Sequence, residues 1–148
     1  MVDVLIDNIS LSHAISMTPL RREILSILIA NNGCMKAYDV LSELSKIRLD
    51  TKPITVYRVL NFLVGKSILH KVSAKNSFVI CNDVLDATHK KHVVFLSCKD
   101  CDQIQEINDQ DFINNVQKFY AKQHFTMPAE SVEMSGYCSK CIDSRSLG

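Results

Sequence analysis

Two Cys-x-x-Cys pairs, Cys98-Lys99-Asp100-Cys101 and Cys138-Ser139-Lys140-Cys141, constrain this chain more than any other feature. Each pair offers two thiolates from one tight turn, and two such turns supply the four sulfurs of a tetrahedral zinc site. A metal held in this way clamps a strand-turn-strand to a distant part of the chain. Redox-active thiol pairs are the competing reading. Disulfides are disfavoured, because the first residues carry Asp3 and Asp7 with no basic export signal and the cytosol keeps thiols reduced. No run of residues approaches the roughly 18 to 20 apolar positions that a membrane span needs. The cytoplasm is therefore the expected compartment. A closed set of four thiolates leaves no open position on the metal, which suits a structural role better than a sensing one.

Charge is distributed unevenly. Residues 1–80 hold ten Lys/Arg against six Asp/Glu, and residues 81–148 hold seven against ten, so the two parts carry +4 and −3. A polyanion partner is expected for the first part if a motif supports it. Apolar periodicity supplies one. Val4, Leu5, Ile9 and Ile15 mark a short N-terminal helix. Thr18 and Pro19 are the cap and first residue of a second helix, with Leu20, Ile24, Ile27 and Leu28 on one face and Asn31-Asn32-Gly33 at its end. Ala37, Val40, Leu41, Leu44 and Ile47 predict a helix over 37–47. Pro53 opens a further one, which turns Val56, Val59, Leu60 and Leu63 inward and Tyr57, Arg58 and Asn61 outward and ends at Gly65. The β-prone runs 68–72 and 77–81, joined by Ser73-Ala74-Lys75-Asn76, complete a winged helix-turn-helix.

Residues 82–91 are polar and read as a linker, after which 92–98 and 103–107 are expected strands joined through the first cysteine pair. A helix over 109–124 is expected to turn Phe112, Val116 and Phe119 to a core, and a third strand over 131–137 runs into Cys138. The expected fold is α+β, with an N-terminal winged-helix DNA-binding domain over 1–81, the linker over 82–91, and a smaller C-terminal α/β domain over 92–148 with the four-cysteine zinc site, which the resemblance described below makes the dimerisation domain.

Tyr57 and Arg58 fall in the first turns of the third helix of the winged helix, where a recognition helix meets base edges. Arginine pairs bidentately with guanine O6 and N7. Lys52, Thr55 and the helix N-terminus are placed to hold phosphate. A solvated helix face is the plain alternative. A looser constellation joins His70 on the first wing strand, Cys81 after the second, His89 and His92 near the linker, and Glu106 beyond the knuckle. Hairpin geometry brings His70 and Cys81 together, and a linker folding back would add His89 and Glu106. A satisfied strand histidine and a small buried cysteine account for the same residues without a metal.

The stretches MTPLRREIL (17–25), AYDVL (37–41) and KPITVYRVLNFL (52–63), a histidine-containing linker and the two cysteine pairs closely resemble the ferric uptake regulator (Fur) family of bacterial metal-sensing repressors. The resemblance runs from Met17 to Cys141 and, on LHKV with His70, FVIC with Cys81 and Thr88-His89, is nearest the zinc uptake regulator branch. It implies His70, Cys81, His89 and Glu106 as regulatory zinc ligands, Cys98, Cys101, Cys138 and Cys141 as the structural zinc site, and Tyr38 and Arg58 as base-contacting residues. One structural and one regulatory Zn2+ per monomer follow.

Two features depart from the family pattern, and a third matches it only in part. Two extra residues separate His89 from Cys98, which leaves His92 as an alternative ligand; Asp102 stands where glycine is usual; His124 matches a ligand position of a further metal site but lacks the partner set. Two imidazoles, a thiolate and a carboxylate suit zinc better than magnesium or manganese, with Cys81 as the discriminating residue. The expected protein is a zinc-loaded homodimeric repressor of zinc uptake genes that binds palindromic operator DNA, with no catalytic site, no small-molecule substrate and no membrane partner. Its zinc response should weaken below about pH 6, where histidine protonates. An iron- or manganese-responsive regulator and a thiol or peroxide redox regulator on the same fold are the alternatives.

Overall fold

The computed structural model describes residues 1–88, 92–128 and 131–146 and divides into two units, Met1–Lys90 and Lys91–Gly148. Among the described residues no helix is long and apolar enough to cross a membrane.

The first unit opens with α1 (Val2–Ser12), which buries Ile6 and Ile9 and leaves Val4 exposed. In α2 (Pro19–Ala30), the Thr18 hydroxyl accepts from the Arg21 N–H and Pro19 takes the first helical position, where its missing N–H costs nothing. Ile24, Leu25, Ile27 and Leu28 face the core. The chain reverses through Asn32 and Gly33, both at positive φ (61° and 75°). Gly33 also lies against Ile80, where a side chain would meet both backbone strain and the Ile80 Cβ at 3.6 Å.

The strand β1 (Cys34–Lys36) follows, and the sequence reading does not foresee it, because three residues with one apolar position between them carry no usable period. The helix α3 (Ala37–Ser45) is shorter than the expected 37–47. Its last turn closes with Ile47 N–H on the Leu44 carbonyl, so Ile47 leaves the helix 62% exposed instead of joining the core with Ala37, Val40 and Leu44.

Helix α4 (Pro53–Gly65) buries Val56, Leu60 and Leu63. Its reversal lies two residues beyond Gly65: Ser67 adopts φ 59°, and the Ile68 N–H returns to the Leu63 carbonyl at 3.0 Å. The wing is β2 (Leu69–Val72) and β3 (Ser77–Ile80), joined by a 3-10 turn over Ser73–Lys75 and a left-handed Asn76. The sheet order is β1-β3-β2, antiparallel throughout, and Phe78 from its central strand is fully buried in the core with the helices.

The second unit is a separate three-stranded sheet of β4 (Val94–Cys98), β5 (Ile104–Ile107) and β6 (Val132–Gly136), with order β5-β4-β6. The β4–β5 pair is antiparallel and the β4–β6 pair parallel. The crossover between β5 and β6 contains α5 (Gln110–Lys122), capped by the Asp109 carboxylate, which accepts from the Phe112 N–H at 2.9 Å. Ile113 is its buried residue, whereas Phe119, expected inward, is 64% exposed. A unit of under 60 residues has too little surface to cover every apolar stripe it carries. The helix ends where His124, at φ 61°, lets the Phe125 N–H return to the Tyr120 carbonyl. The closing α6 (Ser139–Ser146), a polar stretch that carries no apolar period, begins inside the second cysteine pair.

Candidate metal centre and nucleic-acid interface

The four cysteines of the two pairs converge in the second unit. Cys98 ends β4, Cys101 closes the knuckle that leads to β5, Cys138 follows β6, and Cys141 lies in the first turn of α6. The parallel β4–β6 pairing sets this geometry, because it places Gly136 beside Cys98 at the same end of the sheet. The Lys99 N–H donates to the Gly136 carbonyl at 2.8 Å and pins the knuckle to the strand that delivers the second pair.

One sulfur from each cysteine lies within 4.8 Å of the other three, and Cys101 Sγ and Cys138 Sγ are 3.8 Å apart. A tetrahedral zinc with Zn–S bonds of about 2.3 Å has S···S edges of about 3.8 Å. The sulfur cage therefore fits zinc in donor type, number and spacing.

The Cys138 N–H donates to Cys98 Sγ at 3.3 Å, which is the main reason the Cys98 thiol is drawn down to about 6. Its hydrogen bond with Cys138, followed by burial, pushes the Cys141 thiol up to about 12. A second thiolate beside the first is unfavourable unless a cation joins them, and a divalent ion removes that conflict.

A clasp that spacing does not reveal closes the cage. Arg145 on α6 forms a two-point ion pair with Asp100 of the knuckle, both contacts at 2.8 Å, and lies over the Tyr137 ring at 4.3 Å. Asp100 and Arg145 are 45 positions apart, and the β4–β6 pairing that gathers the four cysteines also brings them together.

The candidate regulatory residues are placed unit by unit. In the first unit the antiparallel register pairs His70 with Val79, and the Cys81 N–H donates to the Ile68 carbonyl at 3.0 Å. His70 and Cys81 are thus diagonal neighbours on one face of the hairpin. Their ligand atoms lie within 4.8 Å of each other, Cys81 is 2% exposed, and Nε2 of His70 is buried. In the second unit Glu106 stands half-buried on β5 opposite Phe95. His92 is half-buried just before β4. His89 lies outside the described residues. His124 is exposed and serves as the reversal after α5; among the described residues it joins no group of three potential ligands.

Helix α4 presents the residues expected to meet nucleic acid. Its buried stripe fixes the opposite stripe outward, so Tyr57 and Arg58 are exposed, Thr55 is half-buried, and Lys52 is exposed at the N-cap. Tyr38, in the first turn of α3, is 75% exposed. The loop between these helices is held to α2 by Arg48, whose guanidinium pairs with both carboxylate oxygens of Glu23. That anchor sets where α4 begins relative to the rest of the winged helix.

Fold and site together define a winged-helix protein with a four-cysteine cage that fits zinc in a second, α/β unit. The sequence model of the ferric uptake regulator family matches residues 12–135, and the chain belongs to that family. It is 30% identical to the zinc uptake regulation protein of Escherichia coli (strain K12) over 93% of this chain and 79% of that protein. Among solved structures it is similar to a zinc uptake regulator complexed with zinc and DNA, with a TM-score of 0.80, 28% identity, and coverage of 97% of this chain and 94% of that one. Similarity to holo XcZur gives a TM-score of 0.70 at 29% identity, over 87% of this chain and 88% of that one.

Proposed function

We propose that this chain is a zinc-responsive repressor of zinc uptake genes, acting in the cytoplasm as a homodimer on palindromic operator DNA. The observation that carries this reading is the similarity, over nearly the whole chain, to a zinc uptake regulator solved with both zinc and DNA. The four-sulfur cage and the outward face of α4 support it independently.

Cys98, Cys101, Cys138 and Cys141 would hold a structural zinc, whose chemistry is charge neutralisation and cross-linking of β4, the knuckle, β6 and α6. His70 and Cys81 would hold a second, exchangeable zinc together with His89 and Glu106, with His92 as the alternative to His89. Bound there, zinc would favour one arrangement of the winged-helix unit by binding it better than others. Cys81 supplies the soft donor that favours zinc over manganese, and its burial protects the thiolate from competing chemistry. Arg58 and Tyr38 read base edges, Tyr57 lies against the same groove, and Lys52 and Thr55 hold the phosphate backbone at the α4 N-terminus.

No catalytic step is assigned to this protein. In the second unit Leu96 and Met134 are register partners on neighbouring strands, 39% and 45% exposed. They supply apolar surface for a second copy of the chain.

Elemental analysis of purified protein, before and after mild chelation, tests the reading alongside Cys81→Ser. Two zincs per chain falling to one on chelation, one zinc in the variant, and zinc-dependent operator binding by the wild type alone are the expected results. One zinc throughout, with no difference in the variant, overturns zinc sensing at Cys81. Restoration of operator binding by iron or manganese in preference to zinc would assign the chain to another metal.

A further inference from the structure

The outward stripe of α4 begins with Ile54, which takes part in neither the phosphate contacts nor the guanine contact assigned to this helix. Ile54 is 58% exposed in the first turn. It stands four positions before Arg58 and seven before Asn61, so the three share one face, opposite buried Val56, Leu60 and Leu63. An isolated exposed isoleucine is ordinary on a protein surface. This one sits in a different setting. Lys52 and Arg58 flank it, α4 contains no acidic residue from Pro53 to Gly65, and its N-terminal N–H groups add positive potential. Such a surface complements a polyanion, and the apolar side chain lies within it, between Lys52 and Arg58 in the sequence.

We propose that Ile54 reads the 5-methyl group of a thymine in the operator major groove, on the same helix face as Arg58. This assignment rests on the operator-binding reading above. The chemistry is selective because an isoleucine side chain has neither donor nor acceptor. Among the groups that the four bases expose in the major groove, the thymine methyl is the apolar one. Four helical residues advance about 6 Å along α4, and base pairs are spaced about 3.4 Å apart. The thymine therefore lies within about two base pairs of the guanine contacted by Arg58. Asn61, one turn further, has the amide needed to pair with adenine N6 and N7. The half-site then combines a guanine, a methyl-bearing thymine and an adenine on one α4 face.

The test begins with selection of binding sites from a randomised duplex library by the zinc-loaded full-length protein. Each thymine of the selected half-site is then replaced, one at a time, by deoxyuridine, which lacks only the methyl. Wild-type affinity should fall about fourfold at one position, the equivalent of one buried methylene. Ile54→Ala should bind the thymine and uracil duplexes alike at that position and keep its guanine preference; Ile54→Val should retain most of the discrimination. Both changes are at an exposed site, and unchanged zinc content and melting temperature confirm folding. An Ile54→Ala variant with the wild-type thymine-to-uracil ratio at every position overturns the assignment, as does a wild type indifferent to every replacement. Failure to enrich any sequence overturns operator binding itself and the Ile54 assignment with it.

Discussion

Cys101 Sγ and Cys138 Sγ, 37 positions apart in the chain, stand 3.8 Å apart in the second unit, the edge length of a zinc–thiolate tetrahedron. Removing one corner should therefore cost the metal and not merely weaken it. For Cys138→Ser we expect zinc content to fall by one per chain and the second unit to melt more than about 10 °C lower, read by elemental analysis and calorimetry. Retention of both zinc and melting temperature would show that the cage does not need its fourth sulfur.

Zinc uptake by this cage should be pH-dependent in a defined direction. Near neutral pH, Cys98, at about 6, is already ionised, whereas Cys141, at about 12, must give up its proton to the metal. Binding thus releases protons, affinity rises with pH through neutrality, and it drops further once the pH falls below about 6 and Cys98 takes up a proton. Calorimetry in buffers of different ionisation enthalpy measures the released protons; zero release near pH 7 contradicts the arrangement.

The Arg145–Asp100 clasp should govern how quickly the cage loses its metal more than whether it forms. With Arg145→Ala, zinc content after purification should equal that of the wild type, while transfer to a chromogenic chelator speeds up several-fold. An unchanged transfer rate would leave Arg145 with a surface role alone.

Arg58→Ala should lower operator affinity roughly tenfold to a hundredfold, with zinc content unchanged, and abolish preference at one guanine. Fluorescence anisotropy with matched and single-substituted duplexes separates this from a uniform phosphate effect, which Lys52→Ala should show as a smaller loss across all sequences and a shallower salt dependence.

Leu96→Asp places a charge on the exposed face of the second unit's sheet, beside Met134. If that face is where two copies meet, sedimentation should shift from dimer toward monomer at micromolar concentration, with each unit still folded. A variant that remains fully dimeric moves the interface elsewhere.

Much of the winged helix is legible in the sequence because its determinants are local. Thr18 and Pro19 start α2 by satisfying, or not needing, N–H groups of the first turn; the spacing of Val56, Leu60 and Leu63 fixes which way α4 faces and so exposes Arg58. Both cysteine pairs are legible for the same reason, since each is a single turn. What the sequence leaves open depends on contacts between distant segments. Whether β6 joins β4 in parallel, and hence whether Cys138 meets Cys98, is a matter of long-range hydrogen bonding that no local period encodes. The three residues of β1 become a strand only because β3 is there to pair with them. Ile47 and Phe119 satisfy an apolar period yet end exposed, one because its helix stops first and the other because its unit is too small to cover it. The sequence by itself determined which residues could form helices, turns and metal-ligand pairs, because those choices are settled within a few bonds of each residue. Tertiary structure alone decided which pairs meet and which apolar faces remain open, because burial and strand pairing depend on the whole packed chain.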